Sequence, residues 1–547
     1  MELKGLLERG YFPKELPKPF MTRSFASLMD KLSDYKEPDK IPGVFGKEIV
    51  KSSNIPVAKE VFYSLARVGL KRRQLSICNP VLFYLLAREI VNNWQEIKPA
   101  VSGSNFAATE PEFKSDGRAI NGKYSQSQRV ELAKKNRIGA RYILTTDISR
   151  FYHSIYTHSI PWALHGKNLA KANRRLDSLG NKLDYLVRQG QDGQTVGIPI
   201  GPDTSLVIAE LLMHSVDKEV AKKFPHIKGH RFIDDYELSF ANRDEAERAY
   251  HILDANLAEF ELALNTKKTY ISKLPVRLES NWLSELRQFQ IRSDKNTQLS
   301  DLESYFSLAF DLYNKYTDES VLQWAISCLR SVPINEENWD SFQRLLMLCV
   351  APEPSCLPFV LEQILLHKKN LSNVNVLKDE LTFLLNNIII KHAELRHSSE
   401  VANALWGCLA FRLNVNSNAV NKISTCRDSC VALLALDCEQ ENLLESSLDK
   451  TLWDNYLNAD ALYGDQWLLS YEMSLKGWMK PKKNQDYVEK DPNFSFLKEN
   501  NVYFYLERNK WDDDELPITP SLMPYDNYHH DSYHPLFRGA DYSISKE

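Results

Sequence analysis

The chain has 547 residues, 43% of them apolar and 26% charged, with a formal net charge of −4. That length can bury the cores of two or more domains, and no uninterrupted apolar run is long enough to span a bilayer. Met1-Glu2-Leu3-Lys4-Gly5 lacks the apolar segment of a secretory signal, and the eight cysteines show neither a CxxC pair nor a His/Cys spacing for zinc, so the expectation is a cytoplasmic protein with reduced thiols. The charge is unevenly divided: residues 1–300 carry +11 and the remainder −15. A basic first half is the electrostatic footprint of a protein that meets a polyanion.

In chain order, the basic half shows Lys71-Arg72-Arg73, then Arg118, Lys123, Arg129, Lys134, Lys135, Arg137 and Arg141. Such runs are usually solvated faces, but here they are candidates for polyanion contacts. Tyr142-Ile143-Leu144-Thr145-Thr146 is β-branched and aromatic enough for a strand that stops at Asp147. Alone, Asp147 reads as the N-cap of the next segment. Gly197-Ile198-Pro199-Ile200-Gly201-Pro202-Asp203-Thr204-Ser205 leads into a helix with an apolar stripe at Leu206, Ala209, Met213, Val216 and Val220. Gly201 and Pro202 let the chain turn tightly, which would bring bare backbone close to whatever lies in a cleft. Arg231-Phe232-Ile233-Asp234-Asp235-Tyr236-Glu237-Leu238-Ser239-Phe240 sets two carboxylates between two β-prone runs. A strand, an Asp-Asp corner and a returning strand would carry both to the exposed tip of a hairpin. That geometry suits Mg²⁺, whose hard shell is completed by one or two carboxylates, waters and substrate phosphates.

These three blocks, in this order, resemble motifs A, B and C of reverse transcriptases, and the match covers about the first half of the chain. The resemblance implies a right-hand polymerase of α+β class with fingers and palm. It puts Asp147 on the motif A metal-binding aspartate, with Ile148 beside it in the metal site, and Asp234 and Asp235 on the motif C pair. Two Mg²⁺ ions, or Mn²⁺ in their place, would join these acids to a deoxynucleoside triphosphate. Tyr152 falls on the aromatic that excludes a ribose 2′-hydroxyl, and Phe151, Gly201, Pro202, Arg72 and Arg73 fall around the nucleotide. Leu262-Ala263-Leu264-Asn265-Thr266-Lys267-Lys268-Thr269 looks like motif D, whose lysine (Lys268, with Lys267 as the alternative) would protonate the pyrophosphate leaving group.

The extended run from Phe151 to Lys167, the Gly-x-Pro-x-Gly-Pro-x-x-Ser form with Glu210 downstream, and the opening Gly10-Tyr11-Phe12-Pro13 narrow the likeness. They resemble bacterial abortive-infection and other defence-associated reverse transcriptases. The chain departs from retroviral and intron enzymes at Ile200, where those carry a glutamine, and this puts ordinary templated copying in doubt. The implied partners are deoxynucleotides and nucleic acid (an RNA template or non-coding RNA, and a DNA product), with no membrane; a homo-oligomer stays open. Two other readings remain: a catalytically idle scaffold for RNA or protein, and a retron or intron polymerase of a mobile element.

The acidic half reads as helix after helix. Phe342, Leu345, Leu346 and Cys349 make one apolar face, and Leu377, Leu381, Leu384, Leu385 and Ile388 another. No strict period emerges, so an irregular stack of helix pairs, HEAT-like in outline, is the expectation. Segments Arg396–Trp406 and Gln466–Glu472 resemble the helical repeat region that stands in place of a thumb in the defence group. His397 and Glu400, one turn apart, read as a structural contact rather than a second active site. Domain limits are expected at 1–145 (N-terminal segment and fingers), 146–295 (palm), 296–515 (helical) and 516–547 (a Tyr/His/Pro-rich tail). The related abortive-infection enzymes make DNA attached to protein, and Tyr525, Tyr528, Tyr533 and Tyr542 are candidates for a priming hydroxyl.

Overall fold

The structure is a computed structural model and describes residues 2–34, 42–46, 55–371, 374–481 and 486–512. Among these, every strand lies before residue 274. Strands β1 (Val61–Ala66) and β2 (Arg72–Ile77) form an antiparallel hairpin. A shorter one joins β3 (Pro111–Phe113) to β4 (Ile120–Gly122). The main sheet contains β5 (Tyr142–Asp147), β6 (Lys228–Phe232), β7 (Asp235–Phe240) and β8 (Tyr270–Lys273). Its order is β6-β7-β5-β8, antiparallel throughout. β5 begins at Tyr142, so this sheet starts ahead of the boundary expected at 146.

The helix Arg243–Ala258 covers β5, β7 and β8. It is capped by the Asn242 side chain, which accepts from the Glu245 N–H, and it buries Ala246, Ala249, Leu253 and Leu257 along one stripe. The helix Asp203–Lys223 differs from its expected amphipathic form. Val207, Ile208, Leu211 and Leu212 are buried along with Ala209, Met213, Val216 and Val220, whereas Leu206 is only half-buried. Other elements pack around it (Trp94–Val101, Ser159–His165, Arg243–Ala258 and both short strands β3 and β4), so it has no solvent face over its first turns.

Beyond β8 the described chain is helical, beginning at Asn281, ahead of the expected 296. Helices Val321–Cys328, Leu357–Asn370, Ser398–Phe411, Ser429–Gln440 and Trp467–Lys476 pack one on the next in a row. Lys295–Lys315 pairs with Trp339–Leu348, and Lys378–Ala393 with Ser417–Ile423. The row abuts β1 through Ser398–Phe411.

Polar ties around its turn bind the β1/β2 hairpin to this helical region. The Ala66 N–H donates to Ser399 Oγ at 2.8 Å and the Gly69 N–H to Glu353 Oε2 at 3.5 Å. Lys71 Nζ meets Asp318 at 2.6 Å, and Arg72 grips Glu400 with two bonds of 2.7 and 2.9 Å.

The N-terminal Gly10-Tyr11-Phe12-Pro13 is a packing hub. Tyr11 stacks on Phe83 with ring centroids 4.1 Å apart, and its hydroxyl donates to the Cys78 carbonyl at 2.5 Å. Phe504 packs edge-on to Tyr11 and Trp467, and the Trp467 indole N–H donates to the Ile77 carbonyl at 3.1 Å. Each such aromatic removes roughly 1.5–3 kcal/mol worth of apolar surface from water.

Candidate active site

β5 and β7 run side by side with Asp147 directly opposite Asp235. Asp147 ends its strand and Asp235 begins its own, so both carboxylates emerge at one end of the sheet. Asp234 lies in the two-residue corner between β6 and β7. That corner is Ile233-Asp234, one residue earlier than the Asp-Asp corner expected, because Asp235 already pairs with Phe232 in the ladder. The acids are half-buried rather than exposed on a tip.

Ile233 has φ 56°, a left-handed conformation that a β-branched side chain adopts only under strain. Strain of this kind costs on the order of 1–3 kcal/mol and persists only where the surroundings hold it. Here Arg231 Nη1 donates to the Ile233 carbonyl at 2.7 Å, and the Ile233 N–H donates to Thr109 Oγ1 at 3.0 Å. Arg231 is itself fully buried, with Nη2 2.9 Å from Glu210 Oε2 and 2.7 Å from Asp217 Oδ2. The Tyr236 hydroxyl donates to Asp217 at 2.6 Å, and the Thr109 hydroxyl to Glu210 at 2.5 Å. A buried charge network of this completeness fixes geometry, because removing one member strands the others.

On the open side, two cations face the acids. Lys268 Nζ sits 2.7 Å from Asp147 Oδ2, and Arg129 Nη2 sits 2.7 Å from Asp235 Oδ2. Asn265 Nδ2 donates to Asp147 Oδ1 at 3.3 Å. Burial, and after it the Asp147 carboxylate, push the Asp234 carboxyl up to about 6. Three carboxylates gathered at one end of a sheet, one of them held back from ionising, form the all-oxygen donor set that suits Mg²⁺. Ile148 is buried and its N–H donates to the Asp234 carbonyl at 3.1 Å, so only its main chain is available to the site.

Residues 72–292 match the family described as reverse transcriptase (RNA-dependent DNA polymerase). They form a reverse transcriptase domain. The chain is accordingly an enzyme of the RNA-directed DNA polymerase class. No curated protein matches it. Among solved structures, apo telomerase from Candida tropicalis is similar at 11% sequence identity, over 67% of this chain and 70% of that one, with a TM-score of 0.32. A score that low has no bearing on fold or function.

Within the reverse transcriptase domain, the structure places the remaining candidates unevenly. Tyr152 is half-buried, and burial followed by the Asp234 charge holds its hydroxyl well above the usual range. Phe151 is a correction. It is buried in the core with its ring edge-on to Tyr152 at 5.5 Å, so it cannot face an incoming nucleotide. Arg72 is another. Successive residues of a strand point to opposite faces, so Arg72 and Arg73 cannot both face the acids. Arg72 turns to Ser64 and Glu400, whereas exposed Arg73 lies near enough to act on Tyr152 and His153.

Gly201 adopts φ 130°, and a Cβ there would lie 2.5 Å from Pro13 Cγ. The close approach is therefore made by the chain's own N-terminal segment. The loop is further tied by Arg118 Nη2 to the Gly201 carbonyl at 2.8 Å and by the Ser76 N–H to the Ile200 carbonyl at 2.8 Å. Pro202 is buried at the helix start. Lys268 reaches the carboxylates, its Nζ 2.7 Å from Asp147 Oδ2. Tyr525, Tyr528, Tyr533 and Tyr542 lie outside the described residues. The sequence reading did not single out Arg231, Asp217, Asn265 or Thr109, and it took Arg129 only as one of many basic residues.

Proposed function

We propose that the carboxylate corner adds deoxynucleotides to a growing DNA strand on an RNA template, and that this synthesis serves defence against bacteriophage. The observation that carries the chemistry is the facing pair Asp147 and Asp235, with Asp234 beside them in the strained β6/β7 corner. Asp147, Asp234, Asp235 and the main chain of Ile148 would hold two Mg²⁺ ions, with Mn²⁺ as a substitute. Bound there, the ions would acidify the attacking hydroxyl and neutralise the triphosphate.

For the site to load, Asp147 must release Lys268 and Asp235 must release Arg129. In the unloaded site, although partial burial works against its charge, the Asp147 carboxylate holds the Lys268 ammonium above its usual range; once released, the ammonium would be free to give a proton to departing pyrophosphate. Arg73 and Tyr152 would flank the nucleotide, and the Tyr152 ring would exclude a 2′-hydroxyl. The helical stack takes the place of a thumb. The defence role rests on the likeness of the Phe151–Lys167 run and of the helical segments to the abortive-infection group.

The double variant Asp234→Asn/Asp235→Asn tests the chemistry and the role together. It should remain folded, lose deoxynucleotide incorporation by at least about three orders of magnitude, and cease to protect cells from phage. Incorporation near the wild-type rate defeats the site assignment, and protection without incorporation favours a scaffold. Tyr152→Ala should raise ribonucleotide use relative to deoxyribonucleotide by about tenfold or more. Unchanged discrimination in a folded variant places the gate elsewhere.

A further inference from the structure

His392, His397 and Glu400 converge in the helical region, about the joint between helices Lys378–Ala393 and Ser398–Phe411. His392 Nδ1 lies 2.9 Å from His397 Nδ1, and Glu400 Oε1 lies 3.4 Å from each of these nitrogens. One N–H proton can serve the short contact. The two 3.4 Å contacts are too long for good hydrogen bonds, so the packing gathers three potential ligand atoms, one nitrogen of which would shift its proton to the other ring nitrogen on coordination. We propose that these three residues bind a divalent transition-metal ion, Zn²⁺ in the first instance, at a site separate from the polymerase acids.

The distances fit such an ion. Donors about 2.05 Å from a tetrahedral zinc lie about 3.3 Å apart. The observed triangle has a circumradius of about 1.9 Å, so an ion at bonding distance from all three would sit about 0.8 Å out of their plane, as tetrahedral coordination requires. Two imidazoles and one carboxylate are a donor set that zinc takes in open sites, with a fourth position left for water.

The carboxylate is already oriented: Arg72 holds both its oxygens and the Ser399 hydroxyl donates to Oε2 at 2.7 Å, the outer support that ligating carboxylates require. Two features weaken the site. The Arg72 charge opposes the ion, and coordination through Nδ1 puts the His392 proton on Nε2, which is buried without a hydrogen-bond partner. Affinity should therefore fall below that of a structural zinc site with a complete outer shell.

An ion here would clamp two helices together and, through Glu400 and Arg72, brace β2 of the reverse transcriptase domain. The test is a titration of the full-length protein, stripped with chelator and held in excess Mg²⁺ so that the palm acids are occupied, with Zn²⁺ and separately with Co²⁺. The expected result is one equivalent bound, with the intense visible absorption of four-coordinate Co²⁺. His397→Ala, a substitution at a partly exposed ring, should weaken binding by more than about tenfold, and His392→Ala/His397→Ala should abolish it. A chain with His529, His530 and His534 replaced by alanine should still bind one equivalent. Unchanged affinity in His397→Ala, a six-coordinate Co²⁺ spectrum, or loss of the equivalent with the tail histidines alone would overturn the site.

Discussion

Two sets of ion pairs flank the same two-residue corner, and they differ in exposure. Behind it, Arg231 with Glu210 is sealed, the side chains 0% and 1% exposed. In front, Arg129 with Asp235 and Lys268 with Asp147 are open on the cation side, at 34% and 63%. The chemistry is the same, a basic group on a carboxylate, but the consequences are opposite. A buried pair cannot lose a member without stranding a charge, whereas an open pair exchanges partners at little cost. Exposure separates the scaffold of this site from its placeholders.

The comparison breaks most visibly at Arg231. Arg231→Met should destabilise the fold by about 3–5 kcal/mol, because Glu210 and Asp217 lose their shared cation inside the protein. Chemical denaturation would read this, and the relaxed Ile233 corner should silence incorporation in whatever fraction remains folded. A smaller effect is expected at Asp234, whose folded pKa of about 6 lies above its ordinary value. The native state therefore holds this proton more tightly than the unfolded chain. The resulting stability is fully present below about pH 4 and is lost as pH rises through about 6, amounting to about 3 kcal/mol. In chelator, wild type should accordingly lose stability against Asp234→Asn between about pH 4 and pH 7, and Mg²⁺ should restore it; parallel melting curves across that range would contradict the arrangement. The smallest change belongs to Arg129→Gln. Stability should move by less than about 1 kcal/mol. The Mg²⁺ concentration for half-maximal incorporation should fall by up to about fivefold, since a competing cation is gone. A rise in that concentration would make Arg129 part of the loaded site instead.

The acids were legible because strand-forming runs place them: Tyr142 to Thr146 ends at Asp147, and the Arg231–Phe240 string folds as the hairpin it reads as. The corner itself was misplaced by one residue, since nothing local in Ile233 announces a left-handed turn. Tertiary context imposes that turn, through Thr109 and Arg231. Arg231, Glu210 and Asp217 were invisible as partners because charged residues spaced 14 and 21 positions apart read as separate surface groups until the helix and strand carrying them pack. Arg72 and Phe151 were overread for a related reason. Each is adjacent in sequence to a residue near the corner, yet strand alternation turns Arg72 away and core packing takes Phe151. Helical periodicity in the second half marked where helices form. It could not say that alternate helices would stack in a row, which depends on loop lengths and long-range packing.

The ties on the β1/β2 hairpin have a mechanical consequence. A hairpin fastened at Ala66, Gly69, Lys71 and Arg72 to four residues of the helical region cannot swing about its own base as a free flap. If Arg73 meets a nucleotide as proposed, any movement of the hairpin toward it would carry that wall of helices along or break those bonds first. Hairpin and stack would then shift together as one piece.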